Sequence, residues 1–282
     1  MGQILMQTIK KIEKDDFDKI SKTIKIINEM KHPSLLKFIG YSPIDFKKYR
    51  KPIIVTEYAS NGPLSNILEI ERMNNSISGW NDTKKLINIY GIASGMLYLH
   101  SHDIVHRSLK PSSIYLDEML TPKIGDYGLS TYFMNSENIT YQSISGMKAT
   151  PIYSAPEVLQ SNDYTKASDV YAFAFIVYEI MTNKIPFDDI INKNQIFNEV
   201  VINKKRPKFD INIPYSYRRL IERCWSQEPN ERPSFEVIVY QLKNDDDFIT
   251  DKISREDYQK YIKFIDDQFD NQITSHKIKE TE

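Results

Sequence analysis

Residues 106–113 read H-R-S-L-K-P-S-S, a run that sets two cations, Arg107 and Lys110, beside an imidazole, His106, and the hydroxyls of Ser108 and Ser113. A serine hydroxyl is not ionised near neutral pH, so Ser108 offers no general base. That deficit is worth roughly 10²–10⁴-fold in rate, about 3–5.5 kcal/mol of barrier. A glycine-rich phosphate loop is missing as well. The chain has nine glycines and none lies two residues from another, so no G-x-G-x-x-G occurs. The one cysteine, Cys224, stands between Arg223 and Trp225, a setting that suits a buried helix position better than a reactive thiol.

The elements that must hold these residues follow from periodicity. Residues 4–12 and the short runs Leu35–Ile39 and Ile53–Tyr58 have the character of strands, and a charged helical segment reaches about Lys31, with Phe17, Ile20, Ile24 and Ile27 at helical spacing. After Gly62 the pattern becomes helical, over Leu64–Ile70 and Leu86–Leu99. Residues 168–181 are apolar on nearly every face, the mark of a helix at the centre of a helical body. Further helices are expected near 188–202, 215–226 and 234–243, punctuated by Pro207, Pro214 and Pro229. Sheet first and helices afterwards predicts an α+β fold. The segment 244–282 is highly charged, with Tyr258, Tyr261, Ile262, Ile265 and Phe269 on one helical face. That stripe can either dock a partner or, as we expect, pack on the protein's own helices; beyond Ser275 the composition implies disorder.

Composition narrows the class of protein. With 282 residues, 40% of them hydrophobic, the chain can bury a full core. Lys and Arg (37) balance Asp and Glu (38), so no overall attraction to nucleic acid or an anionic membrane follows. The longest apolar run, Val170 to Tyr178, is too short to span a bilayer, and the early lysines Lys10, Lys11 and Lys14 do not read as a secretory leader. A single cysteine fits a reducing compartment. A cytoplasmic globular protein is the expectation.

Several stretches, in order, resemble a protein kinase. The 106–113 loop is similar to the catalytic loop H-R-D-x-K-x-x-N; H-P-S-L-L-K-F-I-G-Y at 32–41 resembles the junction after the regulatory helix; I-V-T-E-Y-A-S-N-G at 54–62 resembles the hinge that receives adenine. D-Y-G at 126–128 stands where the metal-binding D-F-G falls, and T-P-I-Y-S-A-P-E at 150–157 resembles the end of the activation segment. D-V-Y-A-F at 169–173 and C-W-S-Q-E-P-N-E-R-P-S-F at 224–235 complete the set, whose flavour is most similar to the tyrosine-kinase-like (TKL) group.

The resemblance implies a bilobal kinase-like fold: a domain over 1–243 (small lobe 1–58, large lobe 59–243) whose sheet starts at about the family's third strand, without the first two strands or the Gly-rich loop, and a tail over 244–282. It places Ser108 at the position of the catalytic Asp and Ser113 at that of the magnesium-binding Asn. It implies catalytic-loop roles for Lys110 and for Arg107, the latter as a clasp for a phosphate on the activation segment. Nucleotide contacts would fall to Lys10 (or the adjacent Lys11), the gatekeeper Thr56, and the backbone of Glu57 and Ala59. Magnesium would fall to Asp126, with Ser113 a short-reaching second ligand. Thr23 stands where the glutamate partner of the strand lysine is expected. Structural roles fall to His106 beneath the loop, to Asp169 accepting loop N–H groups, and to an ion pair of Glu157 with Arg232. Candidate phosphosites are Thr140, Ser143 and Ser145, with Ser136 nearby. The expected function is a pseudokinase: a regulatory module with at most weak ATP and Mg²⁺ binding and a protein partner, an active kinase or signalling protein. The rival is an active Ser/Thr kinase working without a base.

Overall fold

The computed structural model describes residues 4–8, 24–49, 53–127, 151–190 and 195–279. Three strands form an antiparallel sheet in the order β1–β3–β2: β1 (Ile4–Thr8), β2 (Phe38–Ser42) and β3 (Ile53–Glu57). The β-branched start of β3, Ile53 and Ile54, is buried, as expected of a central strand packed on one face. Residues 24–29 are helical, and Ile27 and Met30 turn inward there while Glu29 is exposed. The strand expected over Leu35–Ile39 is displaced to Phe38–Ser42. Leu35 and Leu36 instead lie against a separate hairpin of β4 (Ile114–Leu116) and β5 (Pro122–Ile124). The Leu36 N–H donates to the Ile124 carbonyl at 2.8 Å, and the Ile124 N–H to that of Ser34 at 2.7 Å.

The helical body comprises α1 (Leu64–Arg72), α2 (Asp82–Ser101), α3 (Pro156–Ser161), α4 (Lys166–Thr182), α5 (Tyr215–Cys224), α6 (Phe235–Asn244) and α7 (Arg255–Lys279). The long α2 starts at Asn81, whose side chain accepts from the Lys84 N–H, satisfying one of the donors a helix start leaves over. Helix α4 is buried on nearly every face, with Tyr171, Phe173 and Phe175 fully enclosed, and it ends at Asn183 in the left-handed conformation. The helix expected over 188–202 is a π-helical turn at Asn198–Ile202, while 191–194 lie outside the described residues.

The C-terminal segment departs most from a free tail. Helix α7 runs through Ser275 to Lys279, where disorder was expected. Its stripe of Tyr258, Tyr261, Ile262 and Ile265 is buried in the same apolar core as α2; the side chain of Phe269 lies outside the described residues. A partner reading this helix would therefore meet its other face.

Helix α3 is tied to the rest of the helical body by one buried arginine. Arg232, its side chain wholly buried, donates to Glu157 Oε1 at 2.6 Å and Oε2 at 2.9 Å. Its remaining N–H groups reach the carbonyls of Ser226, Ala167 and Gln227, and its guanidinium lies 5.0 Å from the Tyr171 ring. Removing one member strands the other in an apolar setting. Arg232→Met should lower the unfolding free energy by about 3–5 kcal/mol in urea melts followed by tryptophan fluorescence. A loss under about 1 kcal/mol would show the pair to be no more than a surface contact.

Candidate functional site

The 106–113 loop hangs from the first turn of α4. Asp169, almost completely buried, accepts the His106 N–H at 2.8 Å on Oδ2 and the Arg107 N–H at 2.9 Å on Oδ1. Oδ2 also lies 2.9 Å from His100 Nε2, and because a carboxylate only accepts, that nitrogen carries its proton. This clamp holds Arg107 at φ +64°, a left-handed conformation a non-glycine residue keeps only when its surroundings fix it. The Arg107 guanidinium lies 5.9 Å from the Tyr164 ring, and its Nε has no hydrogen-bond partner among the described residues.

His106 sits fully buried beneath the loop. Its Nε2 is 2.9 Å from the Gly125 carbonyl and its Nδ1 is 3.3 Å from the Ser108 N–H. One ring nitrogen must donate and the other accept, so the ring is the neutral Nε2–H tautomer. Burial lowers its pKa, against the opposing pull of Asp169 and Asp126. His106 thereby joins the loop to the D-Y-G segment and orders both backbones.

The hydroxyl of Ser113 is turned into the loop, donating to the Lys110 carbonyl at 2.8 Å and accepting the Lys110 N–H at 3.1 Å. Its hydrogen is committed there; one lone pair remains for anything else. The Ser113 carbonyl accepts the Gly125 N–H at 2.8 Å, a second tie between loop and D-Y-G segment. Lys110 and Asp126 feel one another: burial lowers the Lys110 pKa and the Asp126 charge pushes it back up. Asp126 itself is held at φ +59°.

Above these groups the sheet closes an apolar cleft lined by Ile27, Leu36, Phe38, Ile54, Thr56, Gly125, Asp126 and Tyr127. Thr56 is buried on β3, its hydroxyl donating to the Glu57 carbonyl at 3.2 Å. The Glu57 side chain accepts the Lys37 N–H at 3.0 Å, and the Ala59 carbonyl accepts the Gly62 N–H at 3.1 Å. Of the residues singled out in the sequence, Thr56 and Asp126 line this cleft, and the loop carrying Arg107, Ser108, Lys110 and Ser113 is tied to Gly125 at its edge through His106 and Ser113. Glu157 and Arg232 pair elsewhere in the helical body. Lys10, Thr23, Ser136, Thr140, Ser143 and Ser145 lie outside the described residues.

Three residues that matter here carried little signal in the sequence. Tyr127 donates its hydroxyl to the Leu36 carbonyl at 2.8 Å, fastening the D-Y-G segment to the sheet side of the cleft. The D-Y-G spelling held a clue, because a buried tyrosine hydroxyl must find an acceptor. Lys123 donates to the Pro33 carbonyl at 2.8 Å and stands 3.9 Å from both Glu57 and Asp117. His32 accepts the Ser34 N–H on Nδ1 at 3.0 Å, so its Nε2 carries the proton that it shares with Ser94 Oγ at 3.3 Å.

With this geometry in hand, the comparisons with known proteins are unambiguous: the chain belongs to the protein tyrosine and serine/threonine kinase family, whose model matches residues 2–242. It is 34% identical over 81% of its length to the RGS domain-containing serine/threonine-protein kinase A of Dictyostelium discoideum, of which it covers 19%. It is 31% identical over 83% of its length to the dual specificity protein kinase shkC of the same organism, covering 46% of that protein. A protein kinase and PP2C-like domain-containing protein of Arabidopsis thaliana is 28% identical over 82% of the chain and is covered to 38%. The chain thus spans less than half the length of these relatives. The fold is kinase-like, and protein kinases as a family use ATP and Mg²⁺. Among the described residues no helix is long and apolar enough to cross a membrane.

His32 gives the site a pH signature. Burial first, then the Lys123 charge, push its pKa from the ordinary 6.5 down to about 3. The folded protein therefore binds fewer protons than the unfolded chain between these values, so stability falls as pH drops below 6.5. Between pH 7.5 and 5.0 the wild type should lose about 2 kcal/mol more than His32→Asn, which keeps an acceptor for the Ser34 N–H without titrating. Urea midpoints across that range measure the difference. Parallel slopes for the two proteins would show that His32 is not the group responsible.

Proposed function

We propose that this chain is a two-lobed kinase module of the tyrosine-kinase-like type that has kept the frame of the phosphotransfer site and lost its base. One observation carries the reading: Asp169 accepts the His106 and Arg107 N–H groups of the 106–113 loop, His106 holds the loop to Gly125, and at the position where the family uses a carboxylate stands Ser108. A neutral hydroxyl does not draw a proton from a substrate alcohol at pH 7. The module then serves as a regulatory or interaction domain for a protein partner, such as an active kinase or another signalling protein.

The residues present fit Mg-ATP unevenly. The cleft beside Thr56 is apolar, as the face of a purine requires, whereas the Glu57 N–H and carbonyl are already engaged by Lys37 and by the Thr56 hydroxyl. At the phosphate end the described donors are Asp126 and the remaining lone pair of Ser113; no group of three or more His, Cys, Asp or Glu able to hold a metal occurs among the described residues. A family-type magnesium ion, if bound, would neutralise phosphate charge, and Asp126 would hold it while Lys110 adds a cation beside it. Binding in the millimolar range follows. Cys224, fully buried with its thiol pKa pushed up to about 12, is an inert core residue and suits a reducing, cytoplasmic setting.

Two measurements test the reading. Millimolar ATP with Mg²⁺ should raise Tm by about 1–2 °C; no shift at all would remove nucleotide binding from the proposal. Ser108→Asp combined with Ser113→Asn should raise phosphoryl transfer at least about 10²-fold over wild type, the low end of what a general base supplies. A wild type that turns over at roughly 1 s⁻¹, as fast as the double variant, would establish the rival reading, a working kinase without a loop carboxylate.

A further inference from the structure

Helix α7 lies wholly beyond the stretch that matches the kinase family, which ends at residue 242. Its attachments nevertheless lead toward the cleft. The Ser254 N–H, just before the helix, donates to Thr83 Oγ1 at 2.8 Å. One turn on, the Tyr258 hydroxyl donates to the Leu242 carbonyl at 2.8 Å, and its ring meets Tyr90 edge-on at 5.8 Å. Tyr261 then reaches across α2, passing Tyr90 at 6.3 Å, and its hydroxyl shares a 3.3 Å hydrogen bond with Ser34 Oγ. Both residues are buried, so each hydroxyl would be costly to leave unpaired.

The α2 surface is shaped to let this happen. A Cβ on Gly91 would stand 2.4 Å from the Tyr261 hydroxyl oxygen and 2.6 Å from Pro122, distances no side chain tolerates. One turn later, a Cβ on Gly95 would stand 2.7 Å from Ile124 and 3.2 Å from Ser34 Cβ. The two glycines form a notch that admits Tyr261 at one end and the His32–Leu35 segment at the other. That segment is the link between the helical residues 24–29 and β2. Through the Leu36–Ile124 and Ile124–Ser34 backbone bonds and the Tyr127–Leu36 bond, it also fixes the D-Y-G wall of the cleft.

We propose that α7 is an intramolecular strap: with Tyr261 seated in the Gly91 notch it stiffens residues 32–36, and so sets from behind how firmly the cleft is held. Drawing α7 away from α2 loosens the cleft without anything touching the cleft itself. The inference stands independently of whether the site transfers phosphate or binds nucleotide.

Hydrogen exchange on the full-length chain tests it, using Tyr261→Phe, which removes only the hydroxyl, and Tyr261→Ala, which removes the whole plug. Exchange at the amides of Leu36 and Ile124 should quicken roughly fivefold in Tyr261→Phe, the factor expected for one net hydrogen bond, and further in Tyr261→Ala. Amides of Val177 in α4 and Ile221 in α5 should change by less than half that factor. Unchanged exchange at Leu36 and Ile124 in both variants would overturn the proposal. So would an equal acceleration at all four amides, which would mark Tyr261 as a general stabiliser only.

Discussion

A single buried carboxylate organises the functional half of this protein. Asp169 lies in the first turn of α4, where the helix end already favours negative charge, and it accepts two backbone N–H groups of the catalytic-type loop and one imidazole N–H. Charge-assisted bonds of this kind, kept from water, define backbone geometry firmly. The left-handed turn at Arg107 and the placement of His106 follow from it. None of these bonds involves the side chain at position 108. The frame and the chemistry are therefore separable, and the loop keeps its shape whether that side chain is a carboxylate or the hydroxyl of Ser108.

The rest of the site extends that frame by satisfied polar contacts. His106 bridges to Gly125, Ser113 closes its own turn on Lys110, and Tyr127 crosses to Leu36. Each contact spends a donor on structure. Among the described residues, these hydrogen bonds hold the loop, the D-Y segment and the sheet side together. Asp126 lines the cleft, and its charge raises the Lys110 pKa against the lowering by burial.

Much of this was readable in the sequence, and the failures have physical causes. The loop, Asp169 and the Glu157–Arg232 pair were legible because each residue type is bound to its role by charge and spacing. The central helix was legible because a segment apolar on every face, like Val170–Tyr178, can only be buried. Leu35–Ile39 was misplaced because a short apolar run reads alike as a strand and as a buried crossing segment, and only the Ile124 contacts decide between them. The stripe on α7 announced an apolar face without naming what covers it. Contacts such as Tyr261 with Ser34, 227 residues apart, leave no local trace; the spacing of Gly91 and Gly95 on one face of α2 was their only mark.

The account rests on the absence of an ionised proton acceptor at the centre of an otherwise well-built loop. The most direct test is a phosphoryl-transfer assay of the wild-type chain on a peptide library with saturating ATP and Mg²⁺. With kinases ordinarily turning over at roughly 1–100 s⁻¹ and the base worth about 10²–10⁴-fold, mid-range values predict turnover of about 0.01 s⁻¹. Turnover near 1 s⁻¹ would contradict it.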